Sequence, residues 1–220
     1  MKRLLTAAFA MTFLLAGCGS SDDDKNVSKN TGKETFTAVS YTHLGVYTFC
    51  MCPGGSVVPS ASMEGGVVVN GMSEHARDQE NANSALLVQI RPEDYGEHAL
   101  DGIAYQEALE RKAFQMGGGN YRAPAQRVED FLKHKASQAM GSVKPSYALG
   151  VTPCDLHALL PDYVTSAMEE AIIAMDCRLK GFAMNDAVLT GVETRSSSPV
   201  RLERDKACLQ SLSEIGRAHV

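Results

Sequence analysis

The chain has 220 residues and carries 21 Lys and Arg against 26 Asp and Glu, a net charge of −5. Nucleic-acid binding needs a positive face for the phosphate backbone, so this acidic balance without a basic cluster argues against a nucleic-acid partner. One cysteine lies at Cys18 and five lie beyond residue 45, without the spacing of a disulfide framework. Such cysteines suit a reducing cytosol.

The N-terminus has the pattern of an export signal. Lys2 and Arg3 precede an apolar run over residues 4–15, which is too short to span a bilayer. The run ends in Leu-Ala-Gly-Cys, which resembles a bacterial lipobox and implies that Cys18 is lipidated and tethers the chain to a membrane. Residues 1–18 are therefore a predicted signal peptide, and the polar residues 19–37 a predicted disordered tether.

Two seven-residue segments, 38–44 and 214–220, resemble translated sequencing adapters. The first lies where the composition changes, and the second is the extreme C-terminus. Both also have the ordinary composition of real protein, which is the alternative interpretation. We expect a chimera, with a leader at 1–37 and a domain fragment at 45–213, and we exclude both adapter-like segments from the fold prediction.

The first third of the fragment predicts strands separated by glycine turns. Residues 46–51, 57–58 and 67–69 are rich in β-formers, and Asn70-Gly71 is typical of a hairpin turn. The apolar run 85–90 predicts a further strand that is buried on both faces.

The middle of the fragment predicts helices. Apolar residues at helical spacing predict a helix over 105–116, with Gly117-Gly118-Gly119 as its stop. A second helix is predicted to open at Pro124, and a short third one at Thr152-Pro153-Cys154-Asp155, with Thr152 as cap. The longest apolar stripe runs from Val164 to Leu179, before Gly181.

The tail returns to short β-like runs at 187–194 and 199–202. Antiparallel strands therefore flank a helical middle, and the predicted fold class is α+β, or one part of a larger α/β protein.

Familiar catalytic motifs are absent from the sequence. It contains no complete G-x-G-x-x-G, no P-loop and no G-x-S-x-G. No metal site is predicted, because the pair Cys50 and Cys52 has no second pair or nearby His to complete a zinc shell. The histidines show no evident partner in the sequence, so no catalytic acid or base is assigned to His75, His98, His134 or His157.

Four longer strings nevertheless resemble, in order and spacing, a family of bacterial FAD-dependent dehydrogenases. They are VYTFCMCPGG at 46–55, VNGMS at 69–73, NANSALLV at 81–88 and LTGVETRSSSPVR at 189–201. The resemblance implies a cytoplasmic flavoprotein that binds FAD and a small-molecule substrate. It also implies that a Rossmann-type segment before residue 45 and a glycine-rich segment after Ser213 hold the FAD, so the fragment alone is expected to be inactive.

Candidate cofactor contacts lie at the first string. Cys50, Cys52, Pro53, Gly54 and Gly55 bring backbone amides and a thiol to the flavin ring in this interpretation, since glycines permit close approach. The alternative is a buried strand followed by a turn. A disulfide between the two cysteines is disfavoured by its geometry.

Further candidate contacts lie elsewhere. Arg195 is a candidate ligand for the flavin pyrophosphate or an anionic substrate, or else forms a salt bridge with Glu193. Asn81, Asn83 and Ser84 are candidate substrate contacts, or else a polar turn before the buried strand. The alternative function is a membrane-tethered lipoprotein with a non-enzymatic binding module.

Overall fold

The computed structural model describes residues 38–41, 44–96, 98, 100–195 and 205–208. The predicted signal peptide with Cys18, the predicted tether, the β-like run at 199–202 and the second adapter-like segment lie outside the described residues. Among the described residues, no helix combines the length and apolar character needed to cross a membrane.

The described residues form a mixed α+β fold, as predicted. The strands are β1 Ala38–Tyr41, β2 Leu44–Cys52, β3 Gly55–Pro59, β4 Val69–Ser73, β5 Asn83–Val88, β6 Ala123–Arg127, β7 Val151–Pro153 and β8 Val188–Thr190. The helices are α1 Pro92–Tyr95, α2 Asp101–Met116, α3 Val128–Leu132, α4 Asp162–Arg178 and a short 3₁₀ helix, Leu156–Ala158.

These strands form three small sheets. One has the order β1-β2-β5, the second pairs β3 with β4, and the third has the order β7-β6-β8. Every pair is antiparallel except β6 with β7, which is parallel. All six residues of β5 are buried, which confirms the burial predicted from its continuous apolar run.

Helix α4 supplies one side of the core. Its apolar stripe is buried as predicted, and the helix contacts the sheet of β1, β2 and β5. Each fully buried Val, Ile or Met side chain stabilises the fold by about 1.5–3 kcal/mol relative to exposure. The buried residues are Val164, Thr165, Met168, Ala171, Ile172 and Met175.

Helix α2 ends where the glycine triplet predicts. The last helical residue is Met116, and Gly118 and Gly119 take positive φ angles of 102° and 70° that other residues rarely adopt. The hydroxyl of Thr152 donates to the carbonyl oxygen of Gly117 at 2.7 Å, which satisfies one of the acceptors left over at the helix end.

The prediction of a helix that begins at Pro124 is wrong. Residues Ala123–Arg127 form β6, the central strand of the third sheet, and α3 begins only at Val128. Ala125 and Gln126 are fully buried, and Gln126 donates to the carbonyl of Lys135 at 2.8 Å and accepts from the amide of Leu156 at 2.7 Å. Tertiary pairing on both edges therefore overrides the local preference of proline for a helix start.

Two other local predictions are also wrong. Asn70 and Gly71 lie inside β4 and pair with Val58 and Val57, so they form no hairpin turn. Thr152 lies in β7, and it is Asp155 that caps the 3₁₀ helix by accepting from the amide of His157 at 3.0 Å. In both places the backbone conformation is set by strand pairing, which cannot be predicted from the local sequence.

The first adapter-like segment has a place in the sheet. Its residues Ala38–Tyr41 form β1, which pairs antiparallel with β2 from Ala38 opposite Tyr47 to Tyr41 opposite Leu44. This segment, which is not part of the predicted fold, therefore supplies one edge strand of the sheet. This pairing does not bear on the origin of the segment.

Candidate functional site

The turn between β2 and β3 is built by two glycines in close contact with other backbone. Gly54 has a φ of +56°, and a Cβ placed there would lie 1.9 Å from the carbonyl oxygen of Arg77. A Cβ on Gly55 would lie 2.1 Å from the carbonyl oxygen of Met72. The glycines therefore allow the chain to pack against itself at this turn.

The two cysteines before the turn lie in different environments. The register of the β2–β5 pairing shifts between Phe49 and Cys52, which marks a β-bulge. Cys50 lies within this bulge, is exposed, and adopts a positive φ of 48°. Cys52 is buried, and this burial raises the pKa of its thiol, with the charge of Glu193 acting in the same direction. Cys52 is therefore held as the neutral thiol, while Cys50 is presented at the surface.

The asparagines predicted to contact substrate lie beside this turn. The backbone carbonyl of Asn81 accepts a hydrogen bond from the amide of Gly55 at 2.9 Å. The side chain of Asn81 donates to the backbone carbonyl of Lys144 at 2.8 Å. Asn83 pairs with Cys52 across the strands and donates to the carbonyl of Met72 at 3.4 Å. The bonds of Asn81 join the start of β3 to the segment before β5 and to Lys144, and the bond of Asn83 joins β5 to β4. The substrate role of the two asparagines stays a prediction.

Asn83 also holds a polar atom without a protein partner. The residue is 3% exposed, and its side-chain oxygen Oδ1 is buried and accepts no hydrogen bond from the described residues. Leaving such an acceptor unsatisfied costs on the order of 1–3 kcal/mol. Ser84, its neighbour, is 2% exposed, so it is part of the interior.

Arg195 pairs with Glu110 of α2. Its Nε lies 2.8 Å from Oε1 and its Nη2 lies 2.6 Å from Oε2, a bidentate pair around a carboxylate that is 1% exposed. The hydroxyl of Thr194 donates to the same carboxylate at 2.5 Å, and Nη1 of Arg195 donates to Ser62. These bonds to Glu110 raise the pKa of Arg195. The ligand role of Arg195 stays a prediction.

A cluster of histidines and acids lies elsewhere in the fold. Nδ1 of His157 lies 3.0 Å from Asp155, and its Nε2 lies 2.7 Å from Oε1 of Glu169. Nε2 of His134 lies 3.4 Å from the other oxygen of Glu169. The rings of the two histidines are 4.6 Å apart. We call His134, His157, Glu169 and Asp155 the histidine–acid cluster.

No partner for these histidines is evident from the sequence, and only one contact of the cluster is local along the chain. Asp155 and His157 are two residues apart, which marks a local pair. His134 follows α3 and Glu169 lies in α4, so their approach depends on tertiary packing. Glu110 was missed for a similar reason, since a single acid beside the apolar stripe of a helix does not reveal that it is buried.

Comparison with known proteins gives the family. Residues 23–196 match the family described as FAD-dependent protein, C-terminal domain-like. The chain is also 54% identical over 173 residues to an uncharacterized protein of Clostridium beijerinckii. That match covers 78% of this chain and 32% of the relative, so the chain spans about a third of the relative's length. The chain therefore belongs to the family described as FAD-dependent protein, C-terminal domain-like.

Proposed function

We propose that the chain is part of an FAD-dependent oxidoreductase that acts on a small-molecule substrate. The observation that carries the proposal is the family match over residues 23–196. In such an enzyme the flavin performs hydride transfer, and the protein supplies binding, orientation and exclusion of water. Because the chain corresponds to 32% of its relative, other parts of the whole protein contribute to the cofactor site in this proposal.

In this proposal the described residues lie beside the ring of FAD and not beside its phosphates. Phosphates are held by glycine-rich loops at helix N-termini, where the helix dipole is positive. Here the glycine triplet follows the C-terminus of α2, which has the opposite polarity. Arg195 already forms a bidentate pair with Glu110. We therefore assign the pyrophosphate to parts of the whole protein beyond the described residues.

The ring-side role belongs to the end of β2 in this proposal. Phe49 and Met51 are each 42% exposed there, although both are large and apolar. Cys50 lies between them at the bulge. An exposed apolar surface with a thiol beside it suits a flat heteroaromatic ring, since ligand sites are lined mainly by apolar side chains with a few polar groups.

A hybrid protein tests this assignment. The matching segment of the full-length Clostridium beijerinckii relative is replaced by residues 45–195, and bound flavin is measured by its visible spectrum and its FAD dissociation constant. We expect Cys50→Ala to perturb both. The matched control is Cys177→Ala, which removes another exposed thiol on α4. If the Cys50→Ala and Cys177→Ala hybrids have the same spectrum and affinity, the ring-side role is wrong.

A second part of the proposal concerns the leader. We propose that residues 1–37 are a lipoprotein-type leader of different origin, joined at the adapter-like residues 38–44, and that the parent enzyme is cytoplasmic. The lipobox-like ending at Cys18 and the change in composition support this division. The family match weighs against it, because it begins at residue 23, inside the predicted tether.

Sequencing reads across codons 37 to 45 decide the origin of the leader. A loss of read support at that junction is the expected result for a chimera. Contiguous genomic coverage would instead support the alternative, in which a lipoprotein carries the folded region to a membrane surface through Cys18 as a non-enzymatic binding module.

A further inference from the structure

We infer that the histidine–acid cluster is a binding site for a divalent transition-metal ion such as Zn²⁺. His134, His157 and Glu169 each offer one ligand atom, and these atoms lie within 4.8 Å of one another. Two imidazoles and one carboxylate form a common donor set for zinc, with a position left for water. The site shares no residue with the turn between β2 and β3.

Both nitrogens of the His157 ring face acidic groups. Both ring nitrogens face carboxylate oxygens, with Nδ1 at 3.0 Å from Asp155 and Nε2 at 2.7 Å from Glu169. A neutral imidazole has only one N–H to donate, so one of these contacts places a lone pair against an anionic oxygen. A metal ion bound by both Nε2 and Glu169 accepts this lone pair and removes the repulsion.

The position of His134 supplies a third donor to the same place. Its ring lies 4.6 Å from that of His157, and its Nε2 approaches the second oxygen of Glu169 at 3.4 Å. A dication at this place is stabilised by two neutral imidazole rings and by the carboxylate of Glu169. His134 lies just after α3 and adopts a positive φ of 52°, which is uncommon for residues other than glycine.

Distances and support also suit a metal site. Ligand bonds of about 2.0–2.2 Å in a tetrahedron place donor atoms about 3.3 Å apart. The His134–Glu169 distance of 3.4 Å already meets this, and the His157–Glu169 distance of 2.7 Å requires a small opening. Asp155 holds the remote nitrogen of His157, the usual partner of a metal-bound imidazole. Phe131 stacks on the His157 ring at 4.4 Å and fixes its plane.

The exposure of the cluster allows an ion to enter. The His134 side chain is 67% exposed, while those of His157 and Glu169 are 17% and 21% exposed. The site is therefore open on the His134 side, with its other two ligands held by the fold. Such an arrangement matches three-ligand sites, in which solvent occupies the remaining position.

Cobalt titration of the full 220-residue chain tests the inference. The chain is stripped with a chelator, Co²⁺ is added, and the visible absorption of four-coordinate cobalt is followed, with Zn²⁺ as competitor. We expect one equivalent to bind without a thiolate charge-transfer band, since the site contains no sulfur. Asp155→Asn, which changes a positioning residue, should weaken binding by roughly 10- to 100-fold.

Ligand variants distinguish this site from other donors. His134→Gln, His157→Gln and Glu169→Gln should each abolish the cobalt spectrum, while His75→Gln and His98→Gln, at exposed positions outside the cluster, should leave it unchanged. His134 is exposed, so its variant decides the question if His157→Gln fails to fold. A chain that binds no stoichiometric cobalt, or that binds it equally well after His134→Gln, overturns the inference.

Discussion

The guanidinium of Arg195 forms a bidentate ion pair with Glu110, whose carboxylate is 1% exposed, with contacts of 2.8 Å and 2.6 Å. The pair joins the segment after β8 to α2. Thr194 donates to the same carboxylate, so three donor groups converge on one buried acid. Removing a partner from such an arrangement leaves buried polar groups unsatisfied.

Glu110→Gln should therefore destabilise the chain by about 2 kcal/mol, because hydrogen bonds to a charged group are lost in the interior. The matched control is Arg111→Gln on the same helix, which breaks an exposed pair with Glu107 at 3.3 Å. That change should cost less than about 0.5 kcal/mol. Urea unfolding followed by circular dichroism measures both. Equal costs for the two substitutions would show that the Arg195–Glu110 pair is not structural.

Gly54→Ala should destabilise the chain by about 3 kcal/mol, because two costs add. Alanine is strained at a φ of +56°, and its Cβ clashes with the backbone of Arg77. Gly65→Ala separates these two effects. Gly65 also has a positive φ, +72°, but a Cβ there would meet nothing within 4 Å. This control should cost about 1 kcal/mol from the backbone alone. Thermal unfolding measures the difference, and a Gly54→Ala chain as stable as the control would contradict the packing of the turn.

Asp186 should make stability depend on pH in the acid range. It accepts from the hydroxyl of Ser142 at 2.6 Å and its amide at 2.9 Å, and these bonds, with Arg127 nearby, lower the pKa of its carboxyl. A depressed folded-state pKa contributes stability above the ordinary value of about 4, and that stability is lost as the pH falls through the folded pKa.

Asp186→Asn should accordingly lower the Tm at pH 7, and the gap from the unmodified chain should close as the pH falls below about 4. Asp78→Asn serves as control, because Asp78 lies in an exposed loop. A gap between Asp186→Asn and the unmodified chain that is constant from pH 7 to pH 3 would show that the carboxylate charge at position 186 is not the cause.

The thiols should differ in their rates of alkylation. Burial raises the pKa of Cys154 to about 11, and burial also raises the pKa of Cys52. The thiolate is the nucleophile, so iodoacetamide at pH 8 should modify the exposed Cys177 well before either of them. Mass spectrometry of the digested protein measures the order, and denatured chain provides the control in which all react. Cys154 labelled as fast as Cys177 would contradict its burial.

The sequence predicted the elements whose signal is local. The stripe of α4 and the run of β5 were found from periodicity, and the end of α2 was found from glycines that the backbone requires. Strand β6 was missed, because Pro124 favours a helix start locally while pairing with β7 and β8 fixes it as a strand.

The candidate site divides in the same way. The predicted turn and asparagines, Cys52 to Gly55 with Asn81 and Asn83, lie together in the structure because the β2–β5 pairing joins them. The cofactor role of the turn and the substrate role of the two asparagines stay predictions. The histidine–acid cluster was not predicted, since its members come from three separate parts of the chain, and no local pattern reports how α3 and α4 approach.

The flavin content of the full-length Clostridium beijerinckii relative tests the central claim most directly. The purified protein is heat-denatured, and the released flavin is identified and counted against protein. The account predicts about one FAD per chain, because the family match places this region in an FAD-dependent protein. A folded relative that carries no FAD, and takes up none on incubation with it, would contradict the proposed function.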